Sequence, residues 1–148
     1  MKISEVIKKK GSDVVTIAST MTVAEMLRIL DENRIGAVVV SDDDGVTVHG
    51  IASERDVVRS LHQRGVEVMG DTVRSIMTSE VWTCTSEDEL ETLAMSMTDH
   101  RVRHLPVVDD DKLVAIVSIG DVVKNRLDEL QAERNQLFGY VQGDRSVT

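Results

Sequence analysis

Three scarcities in the sequence exclude several common classes of protein. Cys84 is the only cysteine among 148 residues, so the chain can form neither an internal disulfide nor a cysteine-based metal cluster. Aromatic residues account for 2% of the chain, and the core must therefore be built from aliphatic side chains. No apolar run approaches the roughly 18 residues of a membrane-spanning helix, and no signal-peptide pattern is visible.

Positive charge is also scarce, because 17 lysine and arginine residues stand against 26 aspartate and glutamate residues, for a formal net charge of −9. Binding to nucleic-acid phosphates or to an anionic membrane requires clustered basic side chains. We therefore expect a cytoplasmic protein whose partners include neither nucleic acid nor a membrane. Apolar residues make up 41% of the chain, and its length suits one domain or two half-size units that share a core.

An internal repeat organises the chain. A shift of 67 residues superposes two amphipathic helical patterns, with Val23, Met26, Leu27 and Leu30 falling on Leu90, Leu93, Ala94 and Met97. The same shift places the acidic run 42–44 on 109–111, and a shift of 65 then places Asp56 on Asp121. The change of shift falls in a turn, where a duplicated unit tolerates insertions. The chain therefore contains the same unit twice.

Each unit has the pattern of a βαββα fold. Predicted strands cover 14–17 and 81–84, predicted helices cover 22–33 and 87–100, and paired strands around the acidic turn cover 37–41 with 46–52 and 104–108 with 113–117. A short helical turn opens each unit, and a second helix begins at Ser53 or Ser118. Because a unit of about 60 residues buries little apolar area alone, we predict an α+β fold of two repeats packed pseudo-symmetrically through their sheets. The predicted repeats are residues 1–64 and 73–127, with a linker at 65–72.

The last helix is predicted from Ile119 to about Gln142, and residues 128–148 form an extension and tail beyond the second repeat. Apolar side chains recur along it at helical spacing, at Val123, Leu127, Leu130, Leu137 and Val141, with Arg134 at the skipped position. One interpretation is a helix that packs on its own module. The other is a helix that forms a dimer or binds a partner, since the stripe is longer than one unit requires.

Both repeats carry Ser-x-x-Asp where a buried strand meets a helix, as Ser53–Asp56 and Ser118–Asp121. One interpretation is a helix capping box, in which the serine caps the first turn and the acid reaches back. The other is a nucleotide site, in which the carboxylate accepts the ribose hydroxyls and the first-turn amides hold a phosphate. Gly120 would let a ligand approach the backbone closely. The occurrence at equivalent positions of both repeats favours the nucleotide site.

With the duplication, these motifs resemble a tandem cystathionine-β-synthase (CBS) domain pair, also called a Bateman module. The resemblance covers about residues 6–127, and its carriers are DHRVRHLPVVD at 99–109, GIASERD at 50–56 and IVSIGD at 116–121. The chain is similar to stand-alone bacterial proteins that contain little besides the pair and a C-terminal helix. The resemblance implies binding of AMP, ADP, ATP, NAD or S-adenosylmethionine in two clefts between the repeats, with no obligatory cofactor.

The resemblance also implies roles for matched residues. Asp56 and Asp121 would each hold a ribose. The residues near phosphate would be Ser53, Arg55, Ser118, Gly120, Arg103 and His104. One adenine slot would be lined by Val81, Trp82 and Val102, and the other by Val14, Val15 and Ile35, next to Gly36. Repeat 1 has Gly36-Ala37 where repeat 2 has Arg103-His104, so we expect the two sites to differ in how well they hold phosphate.

Other patterns have competing interpretations. His100 and His104 are four residues apart, but a strand predicted after position 102 excludes a shared helix and argues against a zinc pair. The two acidic turns lack the rest of a calcium-binding loop and are expected to be solvated. Cys84 is expected in the core, with redox sensing as the alternative. Trp82 is either a core residue or a stacking face for adenine.

Taken together, these features predict a non-catalytic regulatory module, homodimeric and suited to energy sensing. Ligand binding would clamp the repeats together and change how an unidentified regulated protein recognises the dimer. The alternative is an interaction scaffold that uses the C-terminal helix, with clefts that are empty or vestigial. An enzyme is disfavoured, because the sequence shows no nucleophile–base pair and no metal-binding cluster.

Overall fold

The helices and strands follow the predicted repeat. The structure, a computed structural model, describes the backbone of residues 1–145 and the side chains of residues 1–141; residues 146–148 of the predicted tail lie outside the described residues. The elements are α1 (Ile3–Lys10), β1 (Thr16–Ile17), α2 (Val23–Asn33), β2 (Ala37–Val40), β3 (Gly50–Ser53), α3 (Glu54–Arg64), α4 (Leu90–His100), β4 (His104–Asp109), β5 (Lys112–Ser118) and α5 (Ile119–Arg145). Two 3-10 turns, Val66–Gly70 and Val73–Ser75, join α3 to α4. The predicted α+β class with a C-terminal helix is confirmed.

Each repeat contributes one small sheet. In repeat 1, β1 is parallel to β2, and β2 is antiparallel to β3. In repeat 2, β4 and β5 are antiparallel, and the counterpart of β1 is a single parallel bridge between Cys84 and Val107. The prediction of a strand over 81–84 was therefore wrong except at its last residue. Trp82 does not pair in a sheet, and 56% of its surface is exposed.

The turn of repeat 1 shortens the strand that was predicted over 46–52. The Asp43 carboxylate accepts hydrogen bonds from the Ser41 hydroxyl and from the Thr47 amide, both at 2.8 Å. These bonds fold residues 41–47 into a local turn and remove them from the sheet ladder. As a result, β3 begins only at Gly50.

The first aspartate of each acidic turn fastens a neighbouring loop. Asp42 accepts from the Ser19 amide at 2.7 Å and from the Ser19 hydroxyl at 2.8 Å, and Asp109 accepts from the Ser86 amide at 3.0 Å. These hydrogen bonds lower the pKa of both carboxyl groups. Most of the acidic residues in both turns are exposed, as expected for solvated turns, and Asp42 and Asp109 in addition tie each turn to the loop before α2 or α4.

The opening segment of each repeat packs into the core of the other repeat. Ile3 of α1 is fully buried among the aliphatic side chains of repeat 2, and Val73 is fully buried among those of repeat 1. Backbone bonds reinforce the exchange, from Ile3 N to Asp88 O at 2.9 Å and from Val73 N to Met21 O at 2.7 Å. Neither core is complete without a segment from the other half, so we expect the repeats to fold as one cooperative unit.

The connection between the repeats is itself packed. Val68, in the middle of the predicted linker, is fully buried in the core of repeat 1. Gly65 has a φ of 76°, which suits the chain reversal after α3. Within residues 1–145, no helix combines the length and the apolar character needed to cross a membrane.

Candidate functional site

A cavity of about 320 Å³ lies between the two repeats, beside the N-terminus of α3. Repeat 1 contributes Gly36, Ala37, Ile51, Ser53, Glu54, Arg55, Asp56 and Arg59 to its lining; repeat 2 contributes Thr78, Glu80, Val81, Trp82, Arg101, Val102, Arg103 and His104. Small-molecule sites in proteins span about 300–1,000 Å³, so this cavity is at the small end of the range. Nine of the residues predicted to bind nucleotide meet here, namely Gly36, Ser53, Arg55, Asp56, Val81, Trp82, Val102, Arg103 and His104.

A capping box holds Asp56 at the cavity. The Ser53 amide donates to Asp56 Oδ2 at 2.9 Å, and the Asp56 amide donates to Ser53 Oγ at 3.3 Å. The Ser53 hydroxyl also donates to Asp56 Oδ2 at 3.0 Å. Every side-chain hydrogen bond to this carboxylate from the described residues ends on Oδ2. The capping interpretation and the ligand interpretation are therefore compatible, since Oδ1 keeps its acceptor capacity.

Four arginines line the cavity without a partner. Arg55 and Arg59 are one turn apart on α3, Arg101 caps the end of α4 with a φ of 55°, and Arg103 precedes β4. In the part of the chain that the structure describes, none of their side chains forms an ion pair or a hydrogen bond. Three carboxylates also line the cavity but leave a net positive lining, in a protein with a net charge of −9. Guanidinium groups in this arrangement are suited to bind phosphate.

An exposed aromatic pair forms one wall of the cavity. The indole ring of Trp82 stacks on the imidazole ring of His100, with centroids 4.1 Å apart and an interplanar angle of 18°. The exposure of Trp82 excludes the core interpretation of this residue, and its role in stacking adenine stays a prediction. His100 orients the indole from one face.

His104 contributes an uncharged ring to the cavity. Burial lowers the pKa of its imidazole from the ordinary 6.5, and nearby Lys10 lowers it further, while Asp121 and Glu54 oppose the shift. The ring is therefore neutral at neutral pH. A phosphate contact made by His104 would be a hydrogen bond without charge attraction, unlike one made by Arg103.

The equivalent motif of repeat 2 does not line this cavity. The Ser118 amide donates to Asp121 Oδ2 at 2.9 Å, and the Asp121 amide donates to Ser118 Oγ at 3.1 Å, so the capping box is repeated. The ammonium of Lys10 also contacts Asp121 Oδ2, at 2.5 Å. Burial acts to raise the pKa of Asp121, but the bonds from Lys10 and Ser118 outweigh it and the pKa is lowered. Ser118, Gly120 and Asp121 all lie outside the cavity.

The second predicted adenine slot also lies outside the cavity. Val14 packs against the core of repeat 2, and Val15 and Ile35 pack against the core of repeat 1. Gly36-Ala37 and Arg103-His104 were expected to make the two sites differ. Both dipeptides line the same cavity. The difference between the halves must therefore come from other positions.

Sequence reasoning missed two of the four cavity arginines. Arg59 follows Arg55 by four residues on a helix, a spacing that places both on one face and was available in the sequence. Arg101 precedes Arg103 in a loop, and only the backbone of that loop places the two side chains together. Cys84 lies in the core, where burial raises the pKa of its thiol to about 12, which leaves it protonated and unreactive.

Comparison with known proteins bears on the family and the fold of this chain. A model of the CBS domain matches the chain twice, at residues 3–63 and 73–128. The mitochondrial CBS domain-containing protein CBSX3 of Arabidopsis thaliana is 34% identical over 148 residues, which cover 95% of this chain and 72% of that protein. The CBS-domain containing protein ATU1752 from Agrobacterium tumefaciens superposes with a TM-score of 0.82 at 38% identity, covering 85% of this chain and 99% of that one.

A third relative was solved with a ligand. The CBS domain protein PAE2072 from Pyrobaculum aerophilum, complexed with AMP, superposes with a TM-score of 0.72 at 28% identity, covering 82% of this chain and 89% of that one. The repeated match and the fold define a CBS-domain pair. The chain belongs to the CBS domain family.

Proposed function

We propose that this protein is a non-catalytic regulatory module that binds an adenine mononucleotide, AMP, ADP or ATP, in the cavity between its repeats. The observation that carries the proposal is the set of four arginines that share a cavity with Asp56 and have no ion-pair partner among the described side chains. Unpaired guanidinium groups raise the free energy of the empty site, and an anionic ligand relieves their mutual repulsion. The AMP complex of the relative from Pyrobaculum aerophilum supports the same ligand class.

We propose a part of the nucleotide for each wall of the cavity. Asp56 Oδ1 would accept the ribose hydroxyls, as carboxylates do in dinucleotide-binding folds. The arginines would bind phosphate, and Trp82 with Val81 and Val102 would contact adenine. A volume of about 320 Å³ favours a mononucleotide over NAD, whose second nucleoside would extend out of the cavity.

Regulation would follow from the position of the cavity across the repeats. A ligand that contacts Asp56 on one repeat and Trp82 on the other adds interactions between the halves. The ligand would favour the conformation in which it contacts both repeats. The size of the shift is set by the difference between its affinities for the two conformations. A regulated protein that recognises this conformation would then respond to nucleotide concentration.

Isothermal titration calorimetry with AMP, ADP, ATP, NAD and S-adenosylmethionine tests the proposal. Asp56→Asn should weaken binding by roughly tenfold or more, because a hydrogen bond to a charged group contributes about 1.5–3 kcal/mol. Asp121→Asn is the matched control, since it makes the same change in the equivalent capping box of repeat 2. That box lies outside the cavity, so nucleotide binding at Asp56 should stay intact. The proposal fails if none of the ligands binds, or if Asp56→Asn binds as the wild type does.

A second function, association through α5, is favoured by the exposed apolar side chains of that helix. Leu127, Leu137 and Phe138 expose 61%, 68% and 54% of their surface. We propose that this stripe forms a homodimer contact. Leu127→Glu with Leu137→Glu should halve the mass measured by light scattering, whereas Val58→Glu on exposed α3 should not. An unchanged mass in the α5 double variant would rule out this contact.

A further inference from the structure

Lys10 makes the Ser118–Asp121 motif of repeat 2 differ from the equivalent Ser53–Asp56 motif, which lines the cavity. It is the last residue of α1, which packs into the core of repeat 2 and so brings the side chain to the junction of β5 and α5. Its ammonium donates to Asp121 Oδ2 at 2.5 Å and to the Ile116 carbonyl at 2.7 Å. The two side chains of the pair are 30% and 24% exposed, so water screens the contact only in part.

The equivalent backbone carbonyl and carboxylate of repeat 1 have other hydrogen-bond partners. Ile51, the counterpart of Ile116, pairs through its backbone with Thr78, at 3.0 Å and 2.9 Å. Asp56, the counterpart of Asp121, forms no ion pair with any residue that the structure describes. The carboxylate that lines the cavity therefore lacks the cation that its counterpart holds.

A ligand at Asp121 would have to displace this ammonium from two acceptors. Gly120 stands where repeat 1 has Arg55, so that half lacks one of the cations that would compensate by binding phosphate. The bonds from Lys10 and from the Ser118 amide both end on Asp121 Oδ2, as the bonds to Asp56 end on its Oδ2, so the two carboxylates differ in the ammonium beside Asp121 and not in free acceptors.

We propose that Lys10 occupies the place of a ribose at Asp121 and so determines that each chain binds one nucleotide, at Asp56. This inference rests on the proposed function, because it concerns how many of the two related positions accept the same ligand. Lys10 thus controls whether a nucleotide binds at Asp121, and removal of its ammonium makes the Asp121 carboxylate available to a ligand.

The test is the calorimetric stoichiometry of AMP binding to the wild-type chain and to Lys10→Met. We expect one AMP per chain for the wild type and two for Lys10→Met, falling back to one when Asp121→Asn is added. Lys9→Met, a change in the same exposed helical turn, and Lys10→Arg, which keeps the cation, should both remain at one. Emission from Trp82, the only tryptophan, reports the first site in every variant.

Each outcome separates this inference from the proposed function. Two AMP molecules bound to the wild type, or one bound to Lys10→Met with normal Trp82 emission changes, would overturn the role of Lys10 and leave the nucleotide-binding proposal standing. Absence of binding to the wild type and to all variants would overturn both. Lys10→Ala, which leaves the α1 backbone unchanged, replaces Lys10→Met if circular dichroism shows that the methionine variant does not fold.

Discussion

Arg55 is located where a cation weakens the helix that carries it. It lies in the first turn of α3, whose N-terminal dipole repels positive charge, and its side chain has no carboxylate partner among the described residues. Arg55→Ala should therefore raise the free energy of unfolding of the ligand-free protein by about 0.3–1 kcal/mol. We infer that a residue which costs stability in the empty protein is present for the ligand.

The same substitution should weaken AMP binding. Loss of a charge-assisted bond of about 1.5–3 kcal/mol corresponds to a roughly 10- to 100-fold weaker Kd. Affinity for adenosine, which lacks the phosphate, should not change. Urea unfolding and calorimetry together measure the two opposite effects.

A matched control is Arg28→Ala on α2, where Arg28 forms an exposed pair with Glu32 at 3.0 Å and does not line the cavity. It should cost a few tenths of a kcal/mol of stability and leave AMP binding unchanged. The reasoning is refuted if Arg55→Ala weakens adenosine and AMP equally, or if it binds AMP as tightly as the wild type.

Four further predictions follow from the described contacts. AMP should change the emission of Trp82, and calorimetric binding without a spectral change would place the adenine elsewhere. Because burial lowers the pKa of His104, the unfolded chain binds its proton more readily, so the free energy of unfolding should fall as pH drops below 6.5; His104→Gln should flatten that dependence in urea melts. Cys84 should react with a thiol reagent only after unfolding, and fast labelling of the native protein would contradict its burial. Ile3→Ala should lower the free energy of unfolding by about 2–5 kcal/mol, against almost no effect for the exposed Val58→Ala, and a small loss would show that α1 is not part of the second core.

Local patterns predicted the elements that local physics controls. The helices at 23–33 and 90–100 lie within the predicted ranges, because their apolar spacing and their left-handed ends at Arg34 and Arg101 are properties of short segments. Both capping boxes formed as the Ser-x-x-Asp spacing indicated. The strand predicted over 81–84 was wrong because apolar residues at that position line a cavity instead of a sheet, and periodicity does not distinguish the two.

The candidate site was predictable in its residue types and only partly in its geometry. Nine predicted residues share one cavity, and the Ser118–Asp121 motif of repeat 2 lies outside it. The ion pair of Asp121 with Lys10 was not predictable, because the two residues are more than a hundred positions apart in sequence. An ion pair over such a separation leaves no periodic trace in the chain.

The sequence by itself determined that the protein is one unit used twice, with an aliphatic core and a capped helix after each central hairpin, because periodicity and capping act over a few residues. Only the tertiary structure decided that the opening segments exchange cores, that four arginines converge on one cavity, and that Lys10 neutralises one of two equivalent carboxylates. Each of these depends on where distant segments meet, and packing of the whole chain decides that.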